Sequence, residues 1–168
     1  MGGYLAFAIM RMAPARVTRL ALLDTAAVAD TPEVAARRLA AIAMAEQGDL
    51  DGLVRENWPR AVHPQRVDDA ALRAVYRAMN AQVGLSAYAR QQRAIMARPD
   101  SRPTLAAIHC PTLVLVGDRD QLTPPERAQE MHAAIPGSRL EVIADCGHLA
   151  TLERPDAVNA ALLDWLQM

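Results

Sequence analysis

Two short stretches of this 168-residue chain carry side chains able to move protons, and each follows an apolar run. The first is Gly117-Asp118-Arg119-Asp120-Gln121-Leu122-Thr123-Pro124, after Pro111-Thr112-Leu113-Val114-Leu115-Val116. The second is Asp145-Cys146-Gly147-His148, after the stretch Arg139 to Ala144. An uninterrupted apolar run bounded by Pro and Gly is the signature of a strand buried on both faces. Ligands of parallel α/β sheets sit at the carboxyl ends of such strands, so an acid on one loop and His148 on the next can meet there. A carboxylate bonded to an imidazole fixes its tautomer and stabilises the imidazolium, leaving the other ring nitrogen to take a proton from a nucleophile. This is the acid–base half of a nucleophilic triad.

The nucleophile is harder to find. Cys146 lies two residues from His148 and a thiol is intrinsically nucleophilic, yet at the end of a buried strand it reads as an inert apolar residue. Ser86, Ser101 and Ser138 fall in helix-start or turn contexts, where serine caps backbone groups. None follows a strand. His63, His109 and His132 have no metal-ligand spacing with one another or with carboxylates, so no metal or other cofactor is expected. Asp118 and Asp120 on one loop are only a weak cation signal. Arg37-Arg38, Arg90 and Arg93 read as a solvated face, with orientation of an acidic substrate as the alternative reading.

These loops need a framework, and the composition suits a globular one: 52% hydrophobic and 22% charged residues, with a net charge of −1. All 18 basic side chains are Arg and only 4% of residues are aromatic, so neither a basic footprint nor a stacking platform for nucleic acid is present. No apolar run approaches the roughly 18–20 residues that span a bilayer, and no membrane partner is expected. The start, Met1-Gly2-Gly3-Tyr4, lacks the basic segment and cleavage site of a secretory signal, and Ala6 breaks the myristoylation pattern. Two cysteines, Cys110 and Cys146, are too few for a disulfide framework and fit a reducing, cytoplasmic setting.

Periodicity orders the elements. Leu5, Ile9 and Met12 are spaced for a helix closed by Pro14, and Val17 to Leu23 reads as a short buried strand ending at Asp24-Thr25. From Thr31 to about Arg98 the pattern is helical. Thr31-Pro32-Glu33 is a capped start, Asp68 opens a segment with Leu72, Val75, Tyr76 and Met79 on one face, and Gly48, Pro59, Pro64 and Gly84 divide the region into three or four helices. After Pro99-Asp100-Ser101-Arg102-Pro103 come the strand Pro111 to Gly117, then a helix from Pro124-Pro125-Glu126. The strand Arg139 to Ala144 and a last helix from Pro155, with Val158, Leu162, Trp165 and Leu166 on one stripe, complete the chain. Strand, helix, strand, helix with short connections predicts a parallel sheet covered by helices.

The segment Leu113-Val114-Leu115-Val116-Gly117-Asp118-Arg119-Asp120, followed by Thr123-Pro124-Pro125, resembles the acid loop of the α/β-hydrolase fold. The branch it resembles is that of small bacterial esterases, enol-lactonases and cofactor-free haloperoxidases. Cys146-Gly147-His148-Leu149-Ala150-Thr151-Leu152-Glu153-Arg154-Pro155 is similar to that branch's histidine loop, and Met1-Gly2-Gly3-Tyr4-Leu5-Ala6 to the residues after the nucleophile in Gly-x-Ser-x-Gly-Gly.

The resemblance implies an α/β fold: a truncated α/β-hydrolase of about three parallel strands with flanking helices. Residues 1–30 and 99–168 would form a partial core and 31–98 a helical cap. It makes Asp120, third after Gly117, the acid, with Asp118 a loop hydrogen-bonder, and it makes His148 the general base. Met1 falls on the residue after the serine, whose amide is an oxyanion-hole donor. The serine itself would precede position 1, so the chain is expected to retain acid and base, to lack the nucleophile, and to be inactive as it stands.

Intact members of this branch hydrolyse an ester or lactone by a Ser-His-Asp mechanism, so a small ester or lactone is the partner implied once the missing half is supplied. Such hydrolases have roughly 250 or more residues. The alternative is a non-catalytic, self-associating remnant. If the strand at 17–23 has lost a neighbour, its apolar edge is an association site. Two copies can then pair antiparallel across it as a homodimer with a six-stranded sheet. Cap helices folding over that edge would give a monomer instead.

Overall fold

Residues Leu113 to Val116 are apolar on both sides of the pleat, which suits them only to the middle of a sheet. In the computed structural model, which describes residues 1–167, three parallel strands form one sheet in the order β1 (Leu20–Leu23), β2 (Thr112–Gly117), β3 (Arg139–Ile143). Every residue of β2 is buried. The helices in chain order are α1 (Gly2–Met12), α2 (Pro32–Glu46), α3 (Leu50–Ala61), α4 (Ala70–Val83), α5 (Leu85–Met96), α6 (Pro125–Ala134), α7 (Ala150–Glu153) and α8 (Pro155–Leu166). No helix among the described residues is long and apolar enough to cross a membrane.

The chain divides into two units. The first holds Met1–Val28, Arg60–Pro64 and Asp100 onward. On one side of its sheet Val114, Val116, Leu20 and Leu22 pack with Phe7 of α1 and with Ala128 and Met131 of α6. On the other, Leu113 and Leu115 pack with Ala150 of α7 and with Val158, Ala161 and Trp165 of α8. Alternate residues of β2 thus feed two cores, as the period of a strand requires. The Trp165 indole N–H donates to the Pro111 carbonyl at 3.2 Å and anchors α8 at the start of β2.

Strand β1 is shorter than the stretch Val17 to Leu23 expected from the sequence. Pro14–Arg16 forms a 3-10 turn, and the ladder starts where Leu20 N donates to Pro111 O at 3.0 Å. Pro111 has no N–H to extend the pairing backwards. Helix α1 begins at Gly2, earlier than the first apolar residue of its periodic pattern. Strand β3 stops at Ile143, one residue before the expected Ala144, as the chain turns into Asp145 with φ 50°.

The second unit, Ala29–Pro59 and Gln65–Pro99, is helical. Thr31 caps α2, its hydroxyl accepting from Val34 N at 3.3 Å, and Pro32 occupies the first turn. Asp69, one residue beyond the expected Asp68, caps α4 by accepting from Leu72 N at 2.9 Å. Gly84, at φ 77°, separates α4 from α5. The segment 60–64, expected from the sequence to lie within the helical region, belongs to the first unit because its backbone packs against the loop at Gly147.

Arg38 departs from the expected solvated face. Its Nε donates to Asp30 Oδ2 at 2.7 Å and Nη1 to Gln92 at 2.7 Å, while Arg98 Nη1 lies 2.8 Å from Asp30 Oδ1. Burial opposes ionisation of Asp30, but the two guanidiniums outweigh it and hold the carboxyl below the usual carboxylate range. The Asp30 side chain is only 6% exposed. The group is part-buried, so the cost of removing its carboxylate lies between those of an exposed and a fully buried pair. Asp30→Ala is therefore expected to lower unfolding stability by about 1–3 kcal/mol, measured by urea denaturation.

Candidate active site

The loops after β2 and β3 leave the sheet on the same side, and backbone contacts lock them together. Arg119 N donates to Cys146 O at 2.8 Å, Asp118 N to Ile143 O at 2.9 Å, and Asp118 Oδ1 accepts from Cys146 N at 3.0 Å. Asp118 is thus committed to the loop. The glycines make the approach possible: a Cβ on Gly117 would collide with the carbonyls of Cys146 and Gly147, and one on Gly147 with the backbone of Val62 and His63. His148 N donates to Ala61 O at 3.1 Å, completing the attachment of the 60–64 segment.

Within this frame Asp120 Oδ2 stands 2.8 Å from His148 Nδ1. Asp120 is 3% exposed, and its charge is met by hydrogen bonds. Oδ1 accepts from Leu122 N at 2.8 Å and Thr123 N at 2.9 Å, and Oδ2 from the Thr123 hydroxyl at 2.8 Å. The Thr123 oxygen is also 3.3 Å from His148 Nδ1. With every neighbour of Nδ1 an oxygen acceptor, the hydrogen-bond logic puts the proton on Nδ1 and the lone pair on Nε2. Nε2 makes no hydrogen bond among the described residues, and the His148 side chain is 26% exposed.

Among the described residues, the serines and Cys146 are engaged elsewhere than at that lone pair. Ser86 Oγ accepts from Arg90 at 2.7 Å and Ser101 Oγ from Arg11 at 2.8 Å. Ser138 Oγ donates to backbone carbonyls at the end of α6 and lies 2.9 Å from His132 Nδ1. The Cys146 thiol is fully buried, and burial followed by the charge of Glu153 pushes it up to about 12, so it stays protonated. Of the remaining histidines, His109 is exposed, and the His63 amide donates to Glu153 at 2.8 Å. No group of three or more His, Cys, Asp or Glu side chains suited to a metal lies together among the described residues.

Met1 is the N-cap of α1. A Cβ on Gly3 would strike the Thr25 side chain, so the first turn of α1 lies against the segment that follows β1. That places the positive end of a helix dipole at the carboxyl end of the sheet, on the side of Asp120 and His148.

Residues 1–161 match the model described as the alpha/beta hydrolase family. The chain belongs to that family. Among solved alpha/beta hydrolases, a thermophilic esterase from Thermogutta terrifontis is similar with a TM-score of 0.92 at 34% identity, over 99% of this chain and 61% of its own. The enol-lactonase from Burkholderia xenovorans LB400 is similar with a TM-score of 0.88 at 29% identity, over 100% of this chain and 63% of its own. A curated relative, the 2-hydroxy-6-oxononadienedioate/2-hydroxy-6-oxononatrienedioate hydrolase of Klebsiella pneumoniae, is 38% identical over 68 residues, 40% of this chain and 24% of that protein. The chain therefore spans about three fifths of the solved relatives, and the match about a quarter of the curated one.

Two carboxylates of this alpha/beta hydrolase chain escape a reading of the sequence. Glu153 is 4% exposed and gathers three backbone donors: His63 N at 2.8 Å, Gly147 N at 3.0 Å and Leu149 N at 3.3 Å. It therefore holds the residues on both sides of His148. Asp24, after β1, accepts from Gly117 and Ala150. Asp24 has no local motif to betray it, since its donors lie 93 and 126 residues away, and Glu153 meets the His63 amide across 90 residues. Thr123 had a faint signal, an Asp followed three residues later by a hydroxyl, as in turns closed by side chains.

Glu153→Ala leaves two buried N–H groups and a part-buried one without this acceptor, and each orphaned buried donor costs roughly 1–3 kcal/mol. The expected loss is about 3 kcal/mol or more in urea unfolding, with Glu153→Gln intermediate because it keeps one acceptor oxygen.

Proposed function

We propose that this chain supplies the acid and base of a Ser-His-Asp hydrolase acting on a small ester or lactone. Asp120 is the acid, His148 the general base, and the backbone amide at Met1 an oxyanion donor. The observation that carries this reading is the 2.8 Å contact between a buried carboxylate and an imidazole whose other nitrogen has no partner among the described residues. In the reaction His148 Nε2 takes the proton of a serine hydroxyl as its oxygen attacks the acyl carbon, and Asp120 stabilises the imidazolium. The proton passes to the departing alkoxide, and water regenerates the serine by the same route. The enol-lactonase and esterase among the solved relatives favour this substrate class.

The serine is the missing part. All three serines of the chain are engaged away from His148, which supports the reading that the nucleophile is supplied by residues outside these 168 and that the chain alone is inactive. A fluorophosphonate probe is expected to leave this chain unlabelled and to label, stoichiometrically, a protein extended upstream through a Gly-x-Ser turn. In the extended enzyme Asp120→Asn and His148→Ala should each lower kcat by about 10³- to 10⁴-fold. A stoichiometric adduct on the chain alone would overturn the missing-serine reading.

A non-catalytic, self-associating role is the second reading, favoured by a specific surface. Among the described residues strand β1 has a strand neighbour on one side only, and on α1 Leu5, Ile9 and Met12 are 57%, 50% and 85% exposed. Two copies pairing antiparallel through β1 would bury both features and make a six-stranded sheet. Sedimentation at micromolar concentration is expected to show a dimer, and a monomer would remove this reading. Two free cysteines suit a reducing, cytoplasmic setting for either role.

A further inference from the structure

Asp24 is used neither by the triad geometry nor by the family resemblance. It follows β1 directly, in the left-handed region at φ 46°, a conformation Asp tolerates better than most residues. Its Oδ1 accepts from Gly117 N at 3.2 Å and its Oδ2 from Ala150 N at 3.3 Å. Gly117 ends β2, at the root of the loop that carries Asp120, and Ala150 lies two residues past His148. One carboxylate from β1's end therefore spans the roots of both loops. The titratable groups that face it are His148, Asp120 and the Cys146 thiol.

We propose that Asp24 is a positioning residue for the Asp120–His148 pair, clamping both loop roots through its two oxygens and adding a second negative charge near the imidazole. The inference rests on the reading of His148 as the general base. The clamp depends on pH. Burial pushes the Asp24 carboxyl up to about 7, with Asp120 adding to the rise and His148 and the two backbone donors opposing it. The folded chain thus holds this proton more tightly than the unfolded one between pH 4 and 7. The group's contribution to stability is complete at low pH and is lost as pH rises through about 7. Above that pH the ionised carboxylate offers both N–H groups a full acceptor and favours the protonated form of His148.

The test is an NMR titration of the whole chain from pH 4 to 9, following the Asp24 carboxyl carbon, the Gly117 and Ala150 amides and the His148 imidazole. In the unaltered chain the carboxyl should titrate near 7, with both amides following the same midpoint. Asp24→Asn should lower the His148 midpoint, because it removes the carboxylate that interacts with the imidazolium, an effect that a merely structural role would not produce. An Asp24 carboxyl that titrates at an ordinary carboxylate pH, with unresponsive Gly117 and Ala150 amides, overturns the proposal. So does an unmoved His148 midpoint in folded Asp24→Asn. Should that variant not fold, the titration of the unaltered chain decides by itself. Undiminished activity of His148→Ala in the extended enzyme would refute the general-base reading without altering these titrations, so the two failures are distinguishable.

Discussion

At the carboxyl end of the sheet Gly117, Gly147 and the backbone of Val62 and His63 pack with no room for a Cβ between them. The parallel register makes the contact unavoidable. Gly117 pairs with Ile143, so the end of β2 comes level with the turn that follows β3. The loops can then exchange hydrogen bonds at Asp118, Arg119 and Cys146, and Ala61 can receive the His148 amide. The short bond between Asp120 and His148 is a consequence of this packing. A shift of 1 Å in either loop root would break it, and catalytic geometry is lost over such distances.

The same region gathers carboxyl groups in a low-dielectric setting and meets them with backbone N–H groups. Asp120 is satisfied by two N–H groups and a hydroxyl, Glu153 accepts from three N–H groups, and Asp24 from two. Backbone dipoles meet a carboxylate without competing for its role, whereas a guanidinium beside Asp120 would neutralise the charge that an imidazolium needs. The second unit solves the same problem in the opposite way. Asp30, which faces no imidazole there, takes two arginines as partners. A burial cost common to both is offset by dipoles in one place and by ions in the other.

Much of the framework is legible along the chain because its signals are local. Pro111 and Gly117 bound an apolar run too uniform for anything but a central strand, and Thr31-Pro32, Pro125 and Pro155 mark helix starts. The neighbouring positions of Asp120 and His148 follow from one further rule, that successive parallel strands end on the same side. What misled was equally physical. The apolar stretch before Leu20 continues the pattern of a strand, but its partner begins after a proline. Residues 60–64 look like punctuation between helices, yet they carry the backbone on which the histidine loop rests.

The sequence by itself determined the element types, their order and the pairing of an acid loop with a histidine loop, since periodicity, breakers and the polarity of parallel strands are written in consecutive residues. Only the tertiary structure decided what holds that pair: Thr123 beside the imidazole, Glu153 beneath the histidine loop and Asp24 across the loop roots. A buried carboxylate is defined by the N–H groups or cations it meets. For Asp24 and Glu153 the amides at Gly117, Ala150 and His63 are supplied by segments 90 or more residues distant, brought together by the sheet order and by glycines that leave room for the approach.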